Sequence, residues 1–368
     1  MKILYIADST SIHTQRWLKY FRNQGNDIYL ITIGRKRQRI PNIKHVINFE
    51  RFYYDSISFI SILKRTRRLI REIKPQILHG HFVHQYGWLA ALSNFHPFVL
   101  TAWGTDILDL PQSSRLKMGK IVTQYALKKA DLMTATSEYL KAKMVALGAD
   151  REKIHVVFWG VNSEKFRPDV GTGTIRENLR IGCNTHVVLS NRNHIALYNN
   201  DIVIEAMSKV LRRFPHTVLI LQNAGGTLEE DLKRLAQERR ISKSVVFLPQ
   251  YKHDDLPPLY ALSDVYVSVP SWDAGPVSLK EAMACNATPI ISAVPGPMEW
   301  VEDEVNGKVV PIRDVDSLVE AICDLLANKA KRQRFNRLNR RLIEEKADQR
   351  VLMKRAEELY RGLIGQAA

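Results

Sequence analysis

The chain has 368 residues, enough for two domains of ordinary size. Hydrophobic residues make up 45% and charged residues 25%, which excludes a disordered tail, a collagen-like chain and a coiled coil. The formal net charge is +16; residues 1–165 carry 26 basic against 12 acidic side chains, so nearly all the excess lies in the first half. It concentrates at Arg35–Arg39 and Lys64–Lys74 and predicts attraction to phosphate in some form, whether nucleic acid, anionic lipid or a phosphorylated substrate. Cys183, Cys285 and Cys323 are odd in number and widely spaced, which argues against a disulfide framework or zinc ribbon and for a reducing compartment. No apolar stretch approaches the ~20 residues of a membrane span. The opening MKILYIADS turns polar too soon for a signal peptide, so a cytoplasmic protein is expected.

Lys2–Ile6 reads as a buried first strand, Thr14–Gln24 as a helix stopped at Gly25, and Asp27–Ile33 as a second strand. Ser58–Ile73 is a basic helix halted before Pro75. Gln76–His79 and Phe98–Thr101 are short strands with a helix over Gly87–Ser93 between them. Tyr125–Ala130 and Glu138–Leu147 are helical. Trp159–Asn178, with one proline and three glycines among polar residues, reads as a linker. Beyond it, strands over Val187–Ser190, Thr217–Gln222, Ser244–Leu248, Asp264–Val269 and Thr288–Ser292 alternate with helices over Asp201–Phe214, Leu228–Arg240, Val277–Cys285 and Val315–Asn328. The last 40 residues are helical and basic. Strands alternating with helices predict two parallel-sheet α/β domains. Such domains bind ligands at the carboxyl ends of their strands, in the cleft between them.

Asp264–Pro289 is the most informative stretch. A strand ends near Val269, a turn covers Pro270–Pro276, and a helix opens near Val277. Free backbone N–H groups at a helix opening, with the positive end of its dipole, suit a diphosphate. Asp273 in the turn and Glu281 inside the helix suit sugar hydroxyls and a ribose diol. Their spacing alone carries no weight, since about four acidic pairs at any one spacing arise by chance in a chain of this composition. Ser278 and Glu281 also stand at capping-box spacing, a purely structural alternative for Glu281. His79, His81 and His84 lack an accompanying acidic or thiol ligand, so we read them as strand-end polar residues and expect no metal.

This stretch resembles the signature of the family 4 ("group 1") retaining glycosyltransferases: an acidic residue, seven others, then Glu-Ala-Met-Ala-Cys-Gly-x-Pro. Here Asp273 is followed, after seven residues, by Glu281-Ala282-Met283-Ala284-Cys285-Asn286-Ala287-Thr288-Pro289. Ser11–Trp17 with Gly25, Thr101–Ile107, Ala135–Met144, Val156–Asp169 and SNRN…YNNDIVIEAM resemble further family segments. The resemblance implies an α/β fold of GT-B type, with two Rossmann-like domains whose parallel sheets face one another across a cleft. We divide the chain into an acceptor-side domain over 1–165, a nucleotide-sugar domain over 166–345, and a C-terminal helix over 346–368 packing back toward the first domain. The implied catalytic residues are Asp273, Glu281 and Arg192. Arg192, Gly275, Pro276, Val277 and Ser278 would bind the donor diphosphate, Asp273 the sugar and Glu281 the ribose. Ser11, His13, His81, Trp103 and Asp106 would line the first-domain side toward the acceptor.

Several positions depart from the family pattern. Asp273 stands where Glu is commoner, Asn286 where Gly is usual, and Pro289 one place late. Tyr198-Asn199 stand where relatives often have a lysine on the diphosphate; Lys280 and His194 are the candidates to replace that cation. Trp103 occupies the place of a histidine that meets the sugar in many relatives.

The implied reaction is retaining transfer of a sugar from a UDP- or GDP-linked donor to a hydroxyl of a glycan, lipid-linked or surface-polysaccharide acceptor, with fixed cations and no metal or other cofactor. The basic first half suits an anionic acceptor or a peripheral place on the inner face of the cell membrane. A sugar-nucleotide isomerase or phosphorylase shares the fold and is the alternative. A nucleic-acid partner is suggested by charge alone, with no RNP1 run, KH loop or zinc finger, and is not expected. A nicotinamide dehydrogenase is opposed by the lack of GxGxxG after the first strand.

Overall fold

Short runs of aliphatic and β-branched residues, buried on both faces, build two parallel sheets, because strands covered by helices on either side read as continuous apolar runs. The computed structural model describes residues 1–33, 40–49, 56–109, 114–223 and 225–367. The basic run Arg35–Arg39 lies outside the described residues. The first sheet holds β1 (Lys2–Ile6), β2 (Asp27–Ile33), β3 (Lys44–Phe49), β4 (Ile77–His81), β5 (Phe98–Thr101), β6 (Leu132–Ala135) and β7 (Ile154–Val156). The second holds β8 (His186–Ser190), β9 (Thr217–Gln222), β10 (Val245–Leu248), β11 (Val265–Ser268), β12 (Thr288–Ser292) and β13 (Lys308–Val310). Among the described residues the orders are β3-β2-β1-β4-β5-β6-β7 and β10-β9-β8-β11-β12-β13.

Both orders are doubly wound, and each reverses once, between β1 and β4 and between β8 and β11. Loops leaving neighbouring strands diverge at such a reversal, which opens a crevice at the carboxyl ends. Registers are continuous there: Ile3 to Ile6 pair with Ile77 to Gly80, and Val265 and Tyr266 pair with Val188 and Leu189. Four strands went unread in the sequence, β3, β6, β7 and β13. Three of these have only three or four residues, too few for a periodic signal, and they are ordered by pairing in the sheet with β5, β6 and β12.

Helices bury one stripe each. Ile12–Asn23 buries Thr14, Trp17, Leu18 and Phe21, spaced as one helical face. In Ser56–Ile73, Ile62, Thr66 and Ile70 are buried while Lys64, Arg65, Arg67, Arg68 and Arg71 are exposed. The last 40 residues form two helices, Lys329–Lys346 and Gln349–Ala367, broken at Ala347–Asp348.

The chain divides into two compact units, Met1–Trp159 with Arg350–Ala368, and Gly160–Gln349. These divisions lie a few residues from 165 and 345 because Val161 and Asp348 bridge. Val161 N–H donates to the Ala347 carbonyl at 2.7 Å and Gln349 N–H to the Val161 carbonyl at 2.9 Å. Gly160, at φ +71°, passes so close that a Cβ would lie 2.5 Å from Gln349 Cα. In the first unit the C-terminal helix is held by Tyr360, whose ring stacks on Phe21 and whose hydroxyl meets His79 Nδ1 at 2.6 Å and Trp17 Nε1 at 3.3 Å.

Candidate active site

At the reversal in the second sheet, β8 runs into Asn191 and Arg192, and β11 into the turn that opens helix Val277–Ala284. The turn is held residue by residue. Asn199 Nδ2 donates to the Val269 carbonyl at 2.9 Å, the Ser292 hydroxyl to that of Pro270 at 2.6 Å, and Ser271 N–H to that of Leu197 at 2.9 Å. Gly296 fits beneath Asp273 and Ala274, where a Cβ would lie 2.4 Å from the Ala274 carbonyl oxygen. Lys280 Nζ donates to the carbonyls of Gly275 at 3.2 Å and Pro276 at 3.3 Å. Pro276 is the N-cap, and no side chain caps the helix. Its first N–H groups, which have no partner within the helix, are therefore presented at the positive end of the dipole. The capping-box alternative is not realised, because both residues are engaged elsewhere.

Arg192 lies over this opening. Its Nη1 donates to Ser278 Oγ at 3.0 Å and its Nη2 to Asp273 Oδ2 at 2.5 Å. The guanidinium carbon sits 4.1 Å from the centroid of the Tyr198 ring, so the tyrosine that stands in place of the family lysine forms a cation–π floor under the arginine. Burial by itself disfavours the Arg192 charge, but the Asp273 carboxylate beside it and the Tyr198 and Tyr266 rings hold the guanidinium above its ordinary value. From Ser278 a hydrogen-bonded chain leads to the second carboxylate. The Tyr266 hydroxyl contacts Ser278 Oγ at 2.9 Å and Asn191 Oδ1 at 3.0 Å, and Asn191 Nδ2 donates to the Tyr260 hydroxyl at 2.5 Å. The Tyr260 hydroxyl donates to Glu281 Oε2 at 3.3 Å, and His253 Nε2 meets Glu281 Oε1 at 2.6 Å. Asp273, Arg192, Ser278 and Glu281 thus belong to one polar network of the second unit.

The two candidates for the missing cation fare differently. Lys280 is fully buried, with its ammonium 4.7 Å from the Trp300 ring centroid, and it reaches the turn's carbonyls rather than the surface. His194 is also fully buried, burial holds it below its usual value and hence neutral, and it lines a separate cavity of about 250 Å³ with Leu228, Leu232 and Arg313. It does not supply a cation to Arg192.

At the reversal in the first sheet three rings assemble. His13 stacks on Trp159 with centroids 3.7 Å apart, and Trp103 lies 4.7 Å from each. The indole N–H groups of Trp103 and Trp159 are buried without a hydrogen-bond partner. Ser11 is the N-cap of helix Ile12–Asn23, and its hydroxyl makes no capping bond. Two residues expected to face an acceptor are instead interior. Asp106 is 0% exposed: Oδ1 accepts from Trp103 and Gly104 N–H at 3.0 and 2.9 Å, and Oδ2 from Val83 N–H at 2.8 Å. It ties the loop after β5 to the segment after β4. Burial pushes its carboxyl up, partly offset by those three amides. His81 is 1% exposed, lies edge-on to Trp103, and is pushed down to about 3 by burial. Asp106 shapes the loop carrying Trp103, His81 Nδ1 meets Thr14 Oγ1 at 3.3 Å in the helix that carries His13, and neither reaches solvent. His79 is saturated by Tyr360 and Thr101, and among the described residues no group of three His, Cys, Asp or Glu side chains is placed to hold a metal ion.

Two family models match the chain: "Glycosyl transferase 4-like" over residues 2–137 and "Glycosyl transferases group 1" over residues 173–342. Together they cover every strand of the two sheets except β7. The chain belongs to the family 4, group 1 glycosyltransferases. A GDP-mannose-dependent α-(1-6)-phosphatidylinositol monomannoside mannosyltransferase of Mycolicibacterium smegmatis is 26% identical, over 73% of this chain and 72% of that protein. A D-inositol 3-phosphate glycosyltransferase of Mycobacterium tuberculosis is 30% identical over 68% of this chain. The chain spans 54% of that enzyme's length. In fold, the crystal structure of Anabaena HepE in complex with UDP superposes with a TM-score of 0.82 at 17% identity, covering 99% of this chain and 100% of HepE. The two Rossmann-like domains are those of the GT-B class.

Within this glycosyltransferase, the sequence reading led to Asp273, its partner Arg192 and Glu281, but not to the residues that hold Glu281. Asn191, His253, Tyr260 and Tyr266 stand between 12 and 75 positions from their partners, and although Asn191 lies in the family-like SNRN segment, nothing in the sequence marks any of the four for this role. Trp159 lay inside a family-like segment, yet nothing local marks it as the partner of His13.

Proposed function

We propose that this glycosyltransferase moves a sugar from a nucleoside diphosphate donor, UDP- or GDP-linked, to an acceptor hydroxyl with retention at the anomeric carbon. The observation that carries this reading is the buried Arg192 guanidinium, held by Ser278 and Asp273 beside the uncapped opening of helix Val277–Ala284. Breaking the anomeric C–O bond builds negative charge on the departing diphosphate, and donors fixed in advance stabilise that charge most. Arg192 and the amides of Val277 and Ser278 take this role, beside Gly275, whose N–H donates to Asp273 Oδ1 at 3.3 Å, and no divalent ion is needed for it. Asp273 orients the sugar hydroxyls and Glu281 the ribose diol. On a front-face route the acceptor's C–O bond forms on the side the diphosphate leaves, and the acceptor proton passes to a diphosphate oxygen, so no protein base is required.

The donor base follows no legible signal: one relative is named for GDP-mannose, and one structural neighbour holds UDP. A thermal-shift panel of UDP, GDP and their sugars on the wild type and Glu281→Ala tests the reading. Stabilisation by one nucleoside diphosphate is expected, and its loss in the variant. Stabilisation that survives removes the ribose role from Glu281, and no response in the wild type sinks the reading.

For the acceptor, the exposed cationic face of helix Ser56–Ile73 favours an anionic molecule or membrane surface. The mycobacterial relatives are named for phosphatidylinositol monomannoside and inositol 3-phosphate. Ile62 and Ile70 of that helix are buried and Ile60 is exposed, so contact with lipid would be electrostatic in the main, about 1 kcal/mol per basic side chain, with one isoleucine added. Among the described residues no helix is long and apolar enough to cross a membrane. We place the enzyme on the cytoplasmic face, with a lipid-linked or surface-polysaccharide acceptor. Co-sedimentation with anionic vesicles at low salt, lost at high salt, is the expected result; failure to sediment at low salt refutes it.

A further inference from the structure

Lysine is almost never fully buried unless it is paired. Lys280 is 0% exposed, in a helix where Leu279, Ala282 and Met283 are core. Its ammonium donates to the carbonyls of Gly275 and Pro276, the last two before that helix, and lies against the Trp300 ring. The carboxylates acting on it are Asp273 of the turn, Glu299 after helix Pro295–Met298, and Glu281 of its own helix. The Pro276–Val277 bond is trans, the cis bond being at His96–Pro97. In a trans peptide the C=O and N–H point in opposite directions. With the Pro276 carbonyl turned inward to Lys280, the Val277 N–H is turned outward through the open end of the helix.

We propose that Lys280 is a positioning residue for the donor diphosphate: from inside the fold it grips the Gly275 and Pro276 carbonyls, holds the Val277 amide outward at the helix opening, and contributes its positive charge to the phosphate site through the turn rather than by contact. This rests on the reading of that turn as the diphosphate site. It puts a second cation one layer below the turn in a chain whose sequence has Tyr198-Asn199 where the family pattern often has a lysine. It also has a proton signature. Burial lowers the Lys280 ammonium to about 8, against the pull of Asp273, Glu299 and Glu281. A bound diphosphate favours the charged ammonium and so raises that value. Below pH ~8 the group is charged in both states and affinity is level. Above it, binding takes up a proton, and affinity falls by about tenfold per pH unit until the bound-state value is reached.

The test is calorimetric titration of UDP and GDP, and of uridine and guanosine, into wild type, Lys280→Met and Lys280→Gln between pH 7 and pH 9.5, each variant's fold being checked by its melting curve. The wild type is expected to hold its diphosphate affinity up to pH ~8 and to lose about tenfold by pH ~9. The variants should bind the diphosphate about tenfold more weakly at pH 7, with no slope to pH 9.5, and bind the nucleoside within about twofold of wild type. Variants that keep the wild-type affinity and slope overturn the proposal, as does equal weakening toward nucleoside and diphosphate. If neither variant folds, the wild-type profile decides: a flat line overturns it. A wild type that binds no diphosphate at all removes the underlying reading as well, whereas wild-type binding with unmoved variants removes this inference alone.

Discussion

Asp273→Asn removes one charge from the Arg192–Asp273 pair and leaves the other. The Arg192 and Asp273 side chains are 8% and 15% exposed and meet at 2.5 Å. Removing one partner of a buried pair costs about 3–5 kcal/mol, since the remaining charge is stranded. Asparagine keeps the volume and one acceptor, so the lower end applies, about 3 kcal/mol. In a unit the size of Gly160–Gln349, each 1 kcal/mol lowers the melting temperature by about 2–4 °C, so a fall of about 6–12 °C is expected. The same change frees Arg192. In the wild type a diphosphate must share the guanidinium with Asp273; in the variant it is the only anion that can restore the pair. A tenfold gain in affinity adds about 1.4 kcal/mol of stabilisation at saturating ligand. The cognate nucleoside diphosphate should therefore raise the variant's melting temperature by more than it raises the wild type's, by about 3–6 °C. Sugar transfer should fall, because the hydroxyl acceptor at Asp273 is weakened. Differential scanning fluorimetry with and without ligand reads both stability effects. A variant melting within 2 °C of wild type, or gaining less from the ligand, would refute the claim that Asp273 and the diphosphate compete for Arg192.

Two further predictions concern the first unit. Asp106→Asn keeps the shape but turns an amide NH₂ toward one of the three N–H donors the carboxylate now accepts, and should lower the unit's stability by about 1–3 kcal/mol in denaturant titration. An unchanged midpoint would mean that the loops after β4 and β5 do not depend on it. Tyr360→Phe keeps the stack on Phe21 but leaves His79 Nδ1 and Trp17 Nε1 without a partner, at a cost of about 2 kcal/mol. Limited proteolysis should then cut near Gln349–Arg350 faster than in wild type; an identical digestion course would show that the ring alone holds the C-terminal helix.

The strands and helices that set the architecture were legible because each is dictated within a few residues. Continuous apolar runs such as Lys2–Ile6 and Thr217–Gln222 are strands in the sequence and in the sheet, and Gly25 and Pro75 end helices by local backbone chemistry. The donor-side motif was legible for the same reason: Asp273, the turn and Glu281 are contiguous, so their order survives in the chain as a pattern. Tertiary structure decided what each of these residues touches. Glu281 stands at capping-box spacing from Ser278, yet its carboxylate is held by His253 and Tyr260, because β8, β11 and the segment after β10 converge only in the folded sheet. Asp106 and His81 looked like surface groups by type and became interior ones, since exposure depends on what other strands bring over a residue. Lys280 carries the same lesson with the opposite sign: its composition says solvent, and only the turn folded back over its helix gives the ammonium two carbonyls in place of water.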